Sequence, residues 1–237
     1  MNLLAFESSA KAASAALLSD GCVLAEYTQN SGQTHSRTLM ELAKNMITGC
    51  DLTPQDIDAV AVAAGPGSFT GVRIGMACAK GFAWGHQLPL YGVSTLEAMV
   101  RGAACADGCY CACMDARKGQ IYNAVFDWAN GTLLRRTEDR AIAISELSQE
   151  VQTISGPVYL IGDGAKLVFD MLRDENLPLR LLPEHLRQQR ASGVALAAME
   201  KIAAGEPGDA AALTPNYLRQ AQAERTRQHD KDFYLKK

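Results

Sequence analysis

A chain of 237 residues with 48% hydrophobic content and a formal net charge of −3 can bury a sizeable core as one large domain or two lobes, and carries no broad electrostatic footprint for nucleic acid. No run of eighteen apolar residues occurs, and Met1 to Glu7 lacks the basic start and long apolar centre of a signal peptide, so a cytoplasmic protein with no membrane contact is expected. The seven cysteines form no Cys-x-x-Cys pair, which argues against a disulfide framework or a zinc knuckle.

Leu3 to Glu7, Ser14 to Leu18 and Cys22 to Tyr27 read as three strands, the last two joined by an Asp20-Gly21 hairpin turn. Glu7-Ser8-Ser9 falls at the first turn. Its hydroxyls and amides suit a phosphate and its carboxylate a metal or water, but a Ser-rich turn with a solvated Glu is the plainer reading. From Thr34 to Cys50 the apolar positions recur at helical spacing and cover roughly 160° of the wheel, wider than the usual core-facing stripe of about 100°. His35 has no second His or Cys at i+4, so a capping or surface role is expected of it. Thr53-Pro54 starts a short helical turn.

The central stretch follows. Ala59 to Ala64 is a continuous apolar run of strand length, stopped by Gly65-Pro66-Gly67, as in a strand buried on both faces. Ser68 is placed to cap a helix whose N-terminal amides form a potential anion site. The loop is neither a Walker loop nor a dinucleotide fingerprint: no Gly-Lys-Ser/Thr follows, and Thr70 stands where a third glycine belongs. On the wheel Gly71, Gly75, Cys78, Ala79 and Phe82 share one side and Val72, Met76 and Ala83 another, so the helix is apolar almost all round. A strand at Leu90 to Val93 and a helix capped by Ser94, with Glu97 completing a capping box, close the first half.

The second half repeats this order. Tyr110 to Met114, Ile121 to Trp128 and Thr132 to Arg136 read as strands, the last two joined through Asn130-Gly131. Helices at 145–154, 165–175 and 192–204 alternate with strands at 158–161 and 179–182. A duplicated βββαβαβα unit predicts two sheets flanked by helices, with a first lobe at 1–106, a second at 107–219 and a charged tail at 220–237. Asp115 to Gly119 and Ile161-Gly162-Asp163-Gly164 are the second half's counterparts of the Glu7 turn and the Gly65 loop, and four such turns facing a cleft suit a nucleotide. Cys109, Cys111 and Cys113 alternate along a strand and read as small buried hydrophobes on one face.

Ala64-Gly65-Pro66-Gly67-Ser68-Phe69-Thr70-Gly71-x-Arg73-x-Gly75, Asp115-Ala116-Arg117-Lys118-Gly119-Gln120-Ile121-Tyr122 and Pro215-x-Tyr217-Leu218-Arg219 together resemble the bacterial TsaB (YeaZ) family over nearly the whole chain. The resemblance implies the duplicated actin/sugar-kinase/Hsp70-like (ASKHA) α/β fold. It also implies a role in installing N6-threonylcarbamoyl on adenosine 37 of tRNAs that read codons beginning with A. In that machinery TsaD carries the metal and the active site, TsaE is an ATPase, TsaC or its relatives make threonylcarbamoyl-adenylate, and TsaB is the dimerisation partner of TsaD. Where the TsaD sister family reads Val-His-His-Met-Glu-Gly-His, this chain reads Val93-Ser94-Thr95-Leu96-Glu97-Ala98-Met99. Thr95 and Met99 thus replace a His-x-x-x-His pair, and neither suits a nitrogen-ligand iron or zinc site. Many relatives carry Asp-Thr at the first turn, where this chain has Glu7-Ser8-Ser9.

The resemblance therefore implies a non-catalytic subunit with no catalytic, cofactor or metal residues of its own. Its partners would be TsaD directly and TsaE within the complex, with a homodimer when alone and tRNA reached only through the complex. The alternative is a free-standing ATP-dependent phosphotransferase of the same fold, with Glu7, Asp115 and Asp163 as candidate Mg²⁺ carboxylates. The two widely apolar helices are the expected partner face, through Leu39, Leu42, Met46, Gly71, Gly75, Cys78 and Phe82 in a four-helix bundle.

Overall fold

The computed structural model describes residues 1–219; the tail expected at 220–237 lies outside the described residues. The first half contains β1 (Asn2–Glu7), β2 (Ala13–Ser19), β3 (Cys22–Gln29), α1 (His35–Gly49), β4 (Ala59–Gly65), α2 (Phe69–His86), β5 (Leu90–Ser94) and α3 (Thr95–Ala103). The second contains β6 (Gly108–Arg117), β7 (Gln120–Ala129), β8 (Thr132–Arg135), β9 (Arg140–Ala143), α4 (Ile144–Val151), β10 (Val158–Ile161), α5 (Ala165–Leu172), β11 (Leu179–Leu181), α6 (Glu184–Arg187) and α7 (Ala191–Ala203).

The two sheets share one topology. The first runs β3-β2-β1-β4-β5 and the second β8-β7-β6-β10-β11, so each strand of one has a counterpart at the same place in the other. In both, an antiparallel meander leads into parallel strands reached by helical crossovers. This is the duplicated ASKHA architecture. β4 earns its central place by composition, since all seven of its residues are buried and β-branched valines alternate with alanines small enough for helices on both faces.

Helices and sheets form layers. α1 and α2 cover the outer face of the first sheet, packing Leu39, Met46 and Met76 against Leu4, Phe6 and Val62. α4 and α5 cover the outer face of the second, against Cys109, Cys111 and Cys113. Between the sheets lie α3 and α7. They cross where a side chain on Gly193 would meet the Ala98 carbonyl oxygen at 2.1 Å, a contact open only to glycine.

α7 packs across the expected division of the chain. Val194, Ala195, Ala197 and Ala198 pack on Leu3, Ala5, Ala61 and Val93, so a helix from the end of the sequence covers the inner face of the first sheet. The inner face of the second sheet is covered in turn by Leu96, Met99 and Val100 of α3. Each half thus supplies part of the other's core, and a cut after residue 106 separates α7 from the sheet on which it packs.

Residues 206–219 form an extended strap after α7. Leu213 fills the space left by Gly92, where a Cβ would stand 2.3 Å from its Cδ1. The Asn216 amide donates to the Ala64 carbonyl at 2.7 Å, and Tyr217 stacks on Phe69 with ring centres 4.7 Å apart. The Arg73 guanidinium lies 3.7 Å from the Phe69 ring centre while its Nε donates to the Tyr217 hydroxyl at 2.7 Å. Arg219 then crosses to the second lobe and donates to the Ala116 carbonyl.

Candidate functional site

The turn that follows β4 is closed onto its own chain. Ser68 caps α2, accepting the Gly71 amide at 3.2 Å, and its own amide donates to the Ser9 carbonyl at 2.7 Å. Gly67, Gly71 and Gly75, four residues apart, form a flat channel in which the Ser8-Ser9 turn is seated. Added Cβ atoms there would stand 2.6 Å from the Ser9 carbonyl, 2.1 Å from the Ser8 carbonyl and 2.5 Å from the Ser8 hydroxyl oxygen. The Ser8 hydroxyl donates to the Gly71 carbonyl at 2.9 Å. The anion site expected at this helix start is therefore partly occupied by the chain's own atoms.

Four of the seven residues expected on the partner face are turned inward. Gly71 and Gly75 point into the fold, and Leu39 and Met46 are fully buried between α1 and the sheet. Leu42, Cys78 and Phe82 are half-buried at the margin of that core. What α2 turns outward instead is a second small-residue stripe, Ala77, Gly81 and Gly85, all exposed; nothing among the described residues lies within 4 Å of a Cβ on either glycine. Trp84, 63% exposed, stands beside it, with the Lys80 ammonium 5.9 Å from its ring centre. The wheel marked only the Gly71 side as small; that this side turns inward depends on where Ser8 sits.

Between the lobes opens a cleft of about 1410 Å³. Its first-lobe wall is the β1–β2 turn with the Gly67 loop, and its second-lobe wall is the β6–β7 turn with the start of α5 and α6. Arg117, Lys118 and Gly119 take left-handed φ values of 66°, 57° and 70°, which turn both cationic side chains outward at the hairpin tip. Lys11, Lys166, Arg187 and Arg219 add further positive charge to the lining.

The candidate acids are held by the protein itself. Glu7 is fully buried, and its Oε1 accepts the Ser9 amide at 2.5 Å; burial, reinforced by the Asp163 charge and opposed by the Ser9 hydrogen bonds, raises its pKa from 4.5 to about 7. Asp115 accepts the Arg117 amide at 2.7 Å and pairs with its guanidinium at 3.2 Å. Asp163 accepts Gln189 Nε2 at 2.9 Å, and its pKa is raised, first by burial and then by the Asp115 charge. A half-protonated Glu7 and two engaged aspartates are a weak donor set for Mg²⁺, and no three His, Cys, Asp or Glu side chains among the described residues cluster as ion ligands.

Thr95 and Met99 lie on α3 in the inner layer. Thr95 is fully buried, and Met99 packs in the second sheet's core, its sulfur 3.1 Å from where a Cβ on Gly162 would stand. His35 Nε2 donates to the Ala10 carbonyl oxygen at 2.8 Å. Cys109, Cys111 and Cys113 are free, buried and on one strand face as expected, with burial pushing the Cys109 thiol up to about 12. Among the described residues no helix is long and apolar enough to cross a membrane.

Comparison with known proteins adds the following. Residues 22–226 match the family model described as TsaD, tRNA N6-adenosine threonylcarbamoyltransferase. The chain is 33% identical over 225 residues to the tRNA threonylcarbamoyladenosine biosynthesis protein TsaB of Bacillus subtilis, covering 94% of this chain and 96% of that protein. To TsaB of Escherichia coli it is 34% identical over 183 residues, covering 76% and 79% respectively. The solved structure of YeaZ from Pseudomonas aeruginosa superposes with a TM-score of 0.75 at 26% identity, covering 92% of this chain and 99% of that one.

Proposed function

The chain belongs to the TsaB (YeaZ) family of tRNA threonylcarbamoyladenosine biosynthesis proteins, and from that premise we propose that it is the non-catalytic subunit that pairs directly with TsaD. TsaE joins the same assembly, and a second copy of this chain takes the place of TsaD when the protein is alone.

The observation that carries the pairing is the outward stripe of α2. Ala77, Gly81 and Gly85 let a foreign helix approach its backbone closely, while Trp84 supplies a large apolar surface beside them. Half-buried Leu42, Cys78 and Phe82 form the margin of the same contact, next to α1. A non-catalytic role is supported by the chemistry of the chain. A threonine and a methionine stand at the TsaD metal positions, and the cleft acids are buried, paired or hydrogen-bonded within the protein.

The test is bulk on the outward stripe. Gly81→Leu adds a side chain where the folded monomer has open space, so the variant folds normally and no longer co-elutes with TsaD. A folded Gly81→Leu protein that still pairs with undiminished affinity rules out this face. ATP turnover by the purified chain, abolished by Asp115→Asn, would instead establish the phosphotransferase alternative.

A further inference from the structure

The cleft between the lobes is unexplained by pairing through α2, and its chemistry suits a polyanion. Six cationic side chains, Lys11, Arg117, Lys118, Lys166, Arg187 and Arg219, line it against three acidic ones, Asp115, Asp163 and Glu184. The whole chain carries −3, so this concentration of positive charge is local and does not follow from composition. Lys11 and Lys118 are exposed and make no ion pair among the described residues. The Arg219 guanidinium is held by backbone carbonyls and pairs with no carboxylate among the described residues.

Size and lining decide between a small ligand and a polymer. Small-molecule sites run to about 300–1,000 Å³ and are mostly apolar, with a few polar groups. This cleft is larger, at about 1410 Å³, and charged on both walls. Phe69, Tyr122 and Tyr217 also contribute to its lining, Phe69 and Tyr217 stacked on each other. Cationic groups on two walls with aromatic residues in the same lining suit a single-stranded nucleic acid, phosphates on the cations and bases against an accessible ring.

We propose that this interlobe cleft touches the RNA directly, Lys11 from the first lobe and Lys118 from the second gripping backbone phosphates of an unpaired segment. The proposal rests on the chain's role in tRNA modification and replaces the expectation that tRNA is reached only through other subunits. The Gly67 loop and the β6–β7 hairpin set the separation of the two walls, and the strap through Tyr217 and Arg219 ties them together at the mouth.

The experiment is tRNA binding across a salt series by the assembled complex of this chain with TsaD, using the double variant Lys11→Glu, Lys118→Glu. Neither side chain is buried, so the variant folds, and assembly is read in the same samples by size-exclusion chromatography. Affinity should fall on the order of tenfold, and the salt slope should become shallower by about two. Arg173→Glu, exposed and outside the cleft lining, should leave both unchanged. An assembled double variant with unmodified affinity and slope overturns the proposal. Failure of the unaltered chain to assemble with TsaD would overturn the proposed pairing instead. In that case ultraviolet cross-linking of tRNA to the isolated chain decides the cleft: adducts on peptides spanning 66–69 and 114–122 support it, and their absence overturns it.

Discussion

Two stripes of small residues run along α2, and they do opposite work. Gly67, Gly71 and Gly75 are closed by the Ser8-Ser9 turn of the same chain, with two carbonyl oxygens and the Ser8 hydroxyl so near that a side chain does not fit without a shift. Gly81 and Gly85 face open space two turns further on. Small residues on a helix therefore record close approach without saying by whom: at the helix start the approaching chain is its own, and at the helix end it has yet to arrive.

The sharpest way to break this comparison is at the closed stripe. Gly71→Ala sets a methyl group against a backbone oxygen that only a shift of β1 or α2 can relieve, so a loss of about 3 kcal/mol or more is expected in urea denaturation. A variant as stable as the parent would mean that the Ser8 turn yields freely.

Next in size is the carboxyl beneath that turn. Glu7 has a folded pKa raised to about 7 from 4.5, so between those values the native state keeps a proton that the unfolded state has lost. Stability is greatest below pH 4.5 as far as this group is concerned, falls as pH rises towards 7 and is level above. The whole effect is about 3 kcal/mol. Glu7→Gln should remove most of the difference in urea midpoint between pH 5 and pH 8; the same pH dependence in the variant would place its origin elsewhere.

The smallest effect comes from the open stripe. Gly81→Ala in the exposed helix interior should stabilise the monomer by roughly 0.5–1 kcal/mol in thermal unfolding, because alanine loses less backbone freedom on folding and nothing opposes its methyl group. Destabilisation there would mean that the glycine already serves an internal contact, and the distinction between the stripes would fail.

Much of the frame was legible from residues whose influence is local. Gly65-Pro66-Gly67 ended β4 where expected, Ser68 and Ser94 capped α2 and α3, and Asn130-Gly131 turned the β7–β8 hairpin. The strand β9 was not foreseen. Its four residues, Arg140 to Ala143, show no alternation of burial, and it forms because β7 is longer than β8: β8 pairs with Phe126 to Ala129 and β9 with Gln120 to Asn123 on the same edge. The destination of α7 was equally hidden, since its alanines fit any flat apolar surface. The inward turn of Leu39, Met46, Gly71 and Gly75 was hidden for a related reason, because helix periodicity gives the angle between two faces and leaves open which one turns inward.

The return of α7 to the first sheet also sets an order of events during synthesis. When residue 106 has been made, the inner face of the first sheet, including Leu3, Ala5, Ala61 and Val93, has only Ala98 of α3 to lie against; the rest of its cover is encoded 85 or more residues later, from Ala191 onward. At translation rates of about 5–20 residues per second that surface stays bare for roughly 4–20 s. A nascent first lobe is thus a client for whatever shields apolar surface at the ribosome, and a message truncated before α7 yields an adhesive fragment rather than half a protein.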